Sequence, residues 1–76
     1  MITPLQCRLG RAALNWTVAD LSKAAHVAPN TITKFEAGQG KTNHSTRAAI
    51  ERALTDAGII LIHNGEGEGI KVRKPE

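Results

Sequence analysis

Apolar positions recur at helical spacing through residue 58 and then crowd into short strand-like runs. Thr3-Pro4-Leu5-Gln6 opens the first element. Thr3 can cap, Pro4 suits the first helical position, and Gln6 completes a capping box. Leu5, Leu9, Ala12, Ala13 and Trp16 then repeat as a stripe, which predicts a helix over 4–15. Thr17-Val18-Ala19-Asp20 is a second capping box. Leu21, Ala24 and Ala25 make the next helix a narrow apolar stripe, small enough for another helix to approach closely. His26-Val27-Ala28-Pro29 reads as a turn, because proline fits the start of a helix and not its interior. A third helix follows over 29–37, with Ile32 and Phe35 as its inward pair. Gly38-Gln39-Gly40 ends it, Gly38 taking the left-handed conformation. Either Asn43 or Ser45 can cap a fourth helix, whose face is Ala49, Ile50, Ala53, Leu54 and Ala57. Gly58 stops it.

Beyond Gly58 the texture changes. Ile59-Ile60-Leu61-Ile62 is aliphatic and mostly β-branched, which predicts a strand. Residues 64–69 alternate glycine with Asn64, Glu66 and Glu68, a turn-rich loop. Ile70-Lys71-Val72-Arg73 alternates apolar and basic, a half-buried second strand, and 74–76 reads as a frayed tail. The expected fold class is mainly α, four to five helices with a C-terminal β-hairpin. The helical unit is expected over 1–58 and the hairpin with its tail over 59–76.

A chain of 76 residues holds one small core,. Cys7 is the single cysteine, and three scattered histidines lack metal-ligand spacing,. Disulfide and zinc staples are thereby excluded, and stability must come from close packing or a partner subunit. No metal or other cofactor is expected. The net charge of +3 is uneven: residues 1–58 hold seven Lys/Arg against four Asp/Glu, and 59–76 hold three of each. That is a mild tilt toward polyanions. No catalytic pattern is visible. There is no Ser-His-Asp set and no paired carboxylates, and the acids between Gly65, Gly67 and Gly69 would repel a phosphate. Met1-Ile2-Thr3-Pro4 lacks the basic start of a leader, and the longest aliphatic run is far too short to cross a bilayer. The expectation is a cytoplasmic protein without membrane contact.

Two short helices, a brief turn and a third short helix closed by glycine suit the DNA major groove. A short helix braced from behind can be pushed into the groove and show its side chains to base edges. The run Trp16-Thr17-Val18-Ala19-Asp20-Leu21-Ser22-Lys23-Ala24-Ala25-His26-Val27-Ala28-Pro29-Asn30-Thr31-Ile32-Thr33-Lys34-Phe35-Glu36-Ala37-Gly38 resembles the Cro/phage-repressor (XRE-type) helix-turn-helix regulators. The likeness extends over about 4–58. It implies a lambda-repressor-like domain that binds double-stranded DNA near the nucleoid, as a transcriptional repressor.

The resemblance also implies roles. Arg11 would pair with Glu36 and lock the third helix against the first. Pro29, Asn30 and Lys34, with Thr33 beside them, would face the bases: Asn30 toward adenine, Lys34 toward guanine, Thr33 toward a thymine methyl. Simpler alternatives stand beside these: Asn30 completing the first helical turn, Thr33 as plain surface, Lys34 on phosphate alone. Phosphate contacts would come from the backbone N–H groups of Thr17, Val18 and Ala19, and from Gln39, Lys41, Thr42 and Asn43, with His44 and Arg47 as additions. Lys41 and Arg47 have ordinary solvated charge as their alternative. Three positions depart from the family pattern. Val18 stands where relatives carry glutamine, His26 where they carry a turn glycine, and Ala28 where they carry a Ser/Thr cap, at a cost of about 1 kcal/mol.

A lone two-stranded hairpin is marginal in water. Ile59, Ile60, Leu61 and Ile62 are apolar on both faces of their strand. One face can pack on the fourth helix and Trp16; the other predicts a homodimer interface formed by pairing strand edges across a two-fold axis. Burial within one chain is the alternative. Lys71 and Arg73 form a basic stripe on the outer face, with solubility alone as the alternative role. The rival function is a protein-interaction module, such as an antitoxin that binds a partner protein.

Overall fold

Capping chemistry sets where each helix begins. The computed structural model describes residues 1–65 and 67–73, so the readings for Glu66 and for 74–76 lie outside the described residues. The elements are α1 (Pro4–Leu14), α2 (Val18–Ala25), α3 (Pro29–Glu36), α4 (His44–Asp56), β1 (Ile59–Asn64) and β2 (Gly67–Val72). Both capping boxes form. The Gln6 N–H donates to Thr3 Oγ1 at 3.2 Å, and the Thr3 N–H to Gln6 Oε1 at 3.1 Å. Thr17 and Asp20 repeat the exchange at 3.1 and 2.9 Å. At α4 the cap is Asn43, whose Oδ1 accepts the Thr46 N–H at 2.8 Å. Only α3 starts without a side-chain cap, at Ala28. Its other end is closed fully: Gly38 is left-handed (φ 71°), its N–H donates to Phe35 O, and the Gln39 N–H donates to Lys34 O. These two bonds are the pair expected of a glycine-closed helix.

The turn between α2 and α3 is tied by Ser22. Its hydroxyl donates to Val27 O at 2.6 Å, while the Val27 N–H donates back to Ser22 O at 3.2 Å. Val27 then packs against the core. His26 takes the left-handed conformation (φ 57°, ψ 44°) at the end of α2, where glycine would sit without strain.

The core is Ile2, Cys7, Leu21, Ala25, Ile32, Phe35, Ile50, Ala53, Leu54 and Ile59. The α1 stripe read from the sequence is not its inward face. Leu5 and Leu9 are each 37% exposed, Ala12 and Ala13 are exposed, and the buried residues of α1 are Gln6, Cys7 and Gly10. The reason is close approach. A Cβ at Gly10 would lie 3.2 Å from a Leu54 methyl, so where α1 meets α4 it presents a residue without a side chain. Ala24 of α2 is likewise exposed.

β1 and β2 pair antiparallel from Ile59↔Val72 to Asn64↔Gly67. The ladder therefore reaches further than expected, and 67–69 belong to β2 instead of a loop. Gln6 helps hold that stretch. Fully buried, it donates from Nε2 to Ile62 O and Gly69 O, each at 3.0 Å. One side chain thus caps its own helix and fastens the hairpin to α1. Directly opposed residues share a face, so Ile59 lies with Leu61 and Ile70, and Ile60 and Ile62 lie on the reverse. Ile59 is 1% exposed, and Leu61 and Ile70 pack on the core. Of the four residues expected at a chain–chain interface, Ile59, Ile60, Leu61 and Ile62, two are thereby corrected: Ile59 is buried inside its own chain and Leu61 packs on the same core. Since the hairpin and the helices share one core, Gly58 marks a change of secondary structure within it. No helix among the described residues is long and apolar enough to cross a membrane.

A left-handed non-glycine residue costs roughly 1–2 kcal/mol, part of which glycine's extra freedom in the unfolded chain would cancel. His26 is exposed, so His26→Gly should raise unfolding stability by about 1 kcal/mol, measured by denaturant titration.

Candidate nucleic-acid interface

α3 has a sharply divided circumference. Ile32, Phe35 and Glu36 are buried, while Pro29, Asn30, Thr33 and Lys34 are exposed. The inward side is held chiefly through Glu36. Its carboxylate takes a bidentate pair from Arg11: Nε to Oε2 and Nη2 to Oε1, each at 2.6 Å. The two side chains are 20% and 8% exposed, so the pair is neither freely solvated nor deep. Arg11 also donates from Nη1 to Trp16 O at 3.2 Å.

Two further partners of Glu36 come from α1. The Cys7 thiol donates to Oε2 at 3.0 Å, and Arg8 Nη1 donates to the backbone oxygen of Glu36. Neither was read from the sequence. Helical spacing puts Cys7 and Arg11 on one face, i and i+4, and that was the only signal pointing to Cys7. Burial pushes the Glu36 carboxyl up, but the hydrogen bonds from Arg11 and Cys7 and the charges of Arg11 and Arg8 outweigh it and hold the group below the usual carboxylate range. Burial, with the adjoining Glu36, pushes the Cys7 thiol well above its ordinary value.

Outside the clamp, Thr33 turns its hydroxyl back onto the helix, donating to Pro29 O at 3.1 Å. The connection between α3 and α4 curves beside Thr31 and Lys34, leaving an open groove of about 370 Å³ bordered also by Gln39, Lys41 and Thr42. Gln39, Lys41 and Asn43 are exposed and Thr42 is half-buried. The Asn43 Oδ1 is committed to its cap, which leaves Nδ2 as that side chain's donor to anything outside.

Two expected phosphate contacts are altered by this geometry. The Thr17 N–H is taken by the Asp20 carboxylate, and the hydrogen bonds from Thr17 hold that carboxyl below its usual range. The start of α2 thus carries its own anion. Only Val18 and Ala19, first in the helix, keep N–H groups without an intrahelical acceptor, and the Val18 side chain packs on the core. Arg47 is also committed inward. Its guanidinium lies 5.5 Å from the Phe35 ring centroid, and Nη2 donates to Ile2 O at 2.8 Å. This stacking and hydrogen bonding tie α4 to α3 and to the N-terminal residues, which removes Arg47 from the set of outward cations.

No known protein family and no curated protein matches the chain.

A carboxyl whose folded pKa is depressed contributes stability above its unfolded value, about 4.3 for glutamate, and loses it as pH falls through the folded value. Unfolding free energy should therefore fall steeply below about pH 4.3. A Glu36→Gln variant, less stable at neutral pH, should show a flatter acid limb. Parallel acid limbs in urea titrations of the two proteins would count against the clamp.

Proposed function

We propose that this protein is a sequence-specific double-stranded DNA-binding transcription regulator of lambda-repressor-like helix-turn-helix architecture, acting as a repressor. The observation that carries the reading is the division of α3. Every side chain that braces it faces α1 and the core, and its outward face is a compact set of groups suited to base edges. A helix is about 10–12 Å across and the major groove about 12 Å wide, so α3 fits with Asn30, Thr33 and Lys34 leading. Lys41 and the start of α4 stand beside it, where a phosphate backbone would run.

The partner we infer for the protein itself is a second copy. Exposed apolar side chains are more numerous than the sequence suggested: Leu5 and Leu9 on α1, Ile60 (41%) and Val72 (49%) on the hairpin. Ile60 and Ile62 remain from the interface expected on β1. A protomer whose longest extent is 33 Å is of the right size to set two α3 helices about one DNA turn, ~34 Å, apart. The site read would be an inverted repeat. These exposed apolar side chains also support the rival reading, a module that docks on a partner protein; a stable dimer of the purified protein alone favours the first.

Repeated selection of a random duplex library on the purified protein should enrich an inverted repeat with half-sites one turn apart. Binding should weaken steeply with salt, by about −0.9 in log–log slope per neutralised phosphate. Asn30→Ala should cost about 1–3 kcal/mol at one base position, while Lys41→Ala should weaken all sequences alike. Failure to enrich any sequence would move the reading to the protein-docking module.

A further inference from the structure

The connection between α3 and α4 borders two separate spaces. One is the groove beside Thr31 and Lys34. The other is a cavity of about 380 Å³ whose far walls are Pro4, Phe35 and Arg47. Gln39, Gly40, Lys41 and Thr42 line both. A Cβ at Gly38 or Gly40 would meet nothing within 4 Å, so no packed side chain fills the space beside them. The cavity walls carry two cations, Lys41 and Arg47, and no carboxylate. Neither cation has an ion-pair partner among the described residues. Glu51, one turn beyond Arg47 on α4, accepts the Ile2 N–H at 2.8 Å instead. Arg47 is further underserved at Nε, which is buried and is the one such side-chain nitrogen or oxygen without a hydrogen-bond partner among the described residues. A half-buried cation with no anion, and a buried donor with no acceptor, both destabilise a fold.

We infer that this cavity binds a small organic anion of the aromatic carboxylate class, and that its occupation opposes duplex binding. Its size is at the small end of ligand pockets, which run from about 300 to 1,000 Å³, so it suits one or two fused rings. The Phe35 and Pro4 rings and the guanidinium plane offer flat surfaces on which such a body stacks. Arg47 and Lys41 supply the charge that a carboxylate answers. The coupling follows from the shared wall. Lys41 is the cation assigned to the phosphate backbone, and an ammonium drawn onto a ligand carboxylate is withdrawn from phosphate. Ligand and duplex thus compete for one charge, and each weakens the other. The coupling rests on the DNA-binding reading above; the ligand site does not.

The test titrates the purified protein calorimetrically with three probes: naphthoate, naphthalene carboxamide (the same body without charge) and inorganic phosphate (charge without the body). Naphthoate should bind, and the other two about tenfold more weakly, the fold-change of one lost charge-assisted hydrogen bond. Naphthoate should shift the amide resonances of Phe35, Gly38, Gly40 and Arg47 and leave those of β1 and β2 in place. Lys41→Ala alters an exposed side chain, so it should keep the fold and bind naphthoate no better than the carboxamide. Arg47→Lys keeps the charge and loses the plane, and should also weaken naphthoate. On the duplex enriched by selection, saturating naphthoate should weaken binding about fivefold or more, the low end of allosteric couplings. No binding of naphthoate, equal affinity for either other probe, or resonance shifts away from the cavity would overturn the site and leave DNA binding standing. Naphthoate binding with duplex affinity unchanged would overturn the coupling. If no duplex is enriched, the DNA-binding reading and the coupling fall together, and the titration alone decides the ligand site.

Discussion

The bidentate contact between Arg11 and Glu36 is the constraint on which the rest of the structure depends. Helix α3 is eight residues long and has no side-chain cap at its start. A helix of that length is marginal in water, so its position must come from packing. Ile32 and Phe35 supply the apolar part, but an apolar contact does not fix rotation about the helix axis. Glu36 does: four donors from Cys7, Arg8 and Arg11 on one face of α1 converge on its carboxylate and backbone oxygen. An uncompensated carboxylate at 8% side-chain exposure would be strongly destabilising. The fold is thus tied to one rotation of α3, and that rotation decides which side chains face out.

A second constraint of the same kind holds the hairpin. Gln6 satisfies the first turn of α1 with one end of its amide and two strand carbonyls with the other. Polar groups buried with every partner in place set geometry more sharply than apolar contact does. The protein therefore uses α1 as a common bracket, with Gln6 holding the hairpin and Cys7, Arg8 and Arg11 holding α3. Leu5 and Leu9 are turned outward as a consequence.

Most element boundaries were legible because they rest on local chemistry. Thr3 with Gln6, Thr17 with Asp20, Pro29 and Gly38 each act within a few residues. The face of α1 was not legible. Periodicity reports a helix, but it names the apolar stripe as buried, and here the inward positions are glutamine, cysteine and glycine. That choice follows from partners distant in sequence, Ile62 O and Gly69 O for Gln6, Glu36 for Cys7 and Leu54 for Gly10, which no local pattern carries. Arg47 and Thr17 were read as free for phosphate for a similar reason. Their partners, the Phe35 ring with Ile2 O and the Asp20 carboxylate, complete them within the fold. On the hairpin, the aliphatic run gave the strand but not which of its residues faced in, and the register settles that by burying Ile59.

The clamp, and not apolar packing alone, positions α3. A double-mutant cycle of Arg11→Met and Glu36→Gln, read by denaturant unfolding at neutral pH, tests it most directly. The expected coupling energy is about 2–3 kcal/mol, within the range of residues that share a hydrogen-bonded pair. Additivity within about 0.5 kcal/mol would contradict it and leave α3 held by Ile32 and Phe35 alone.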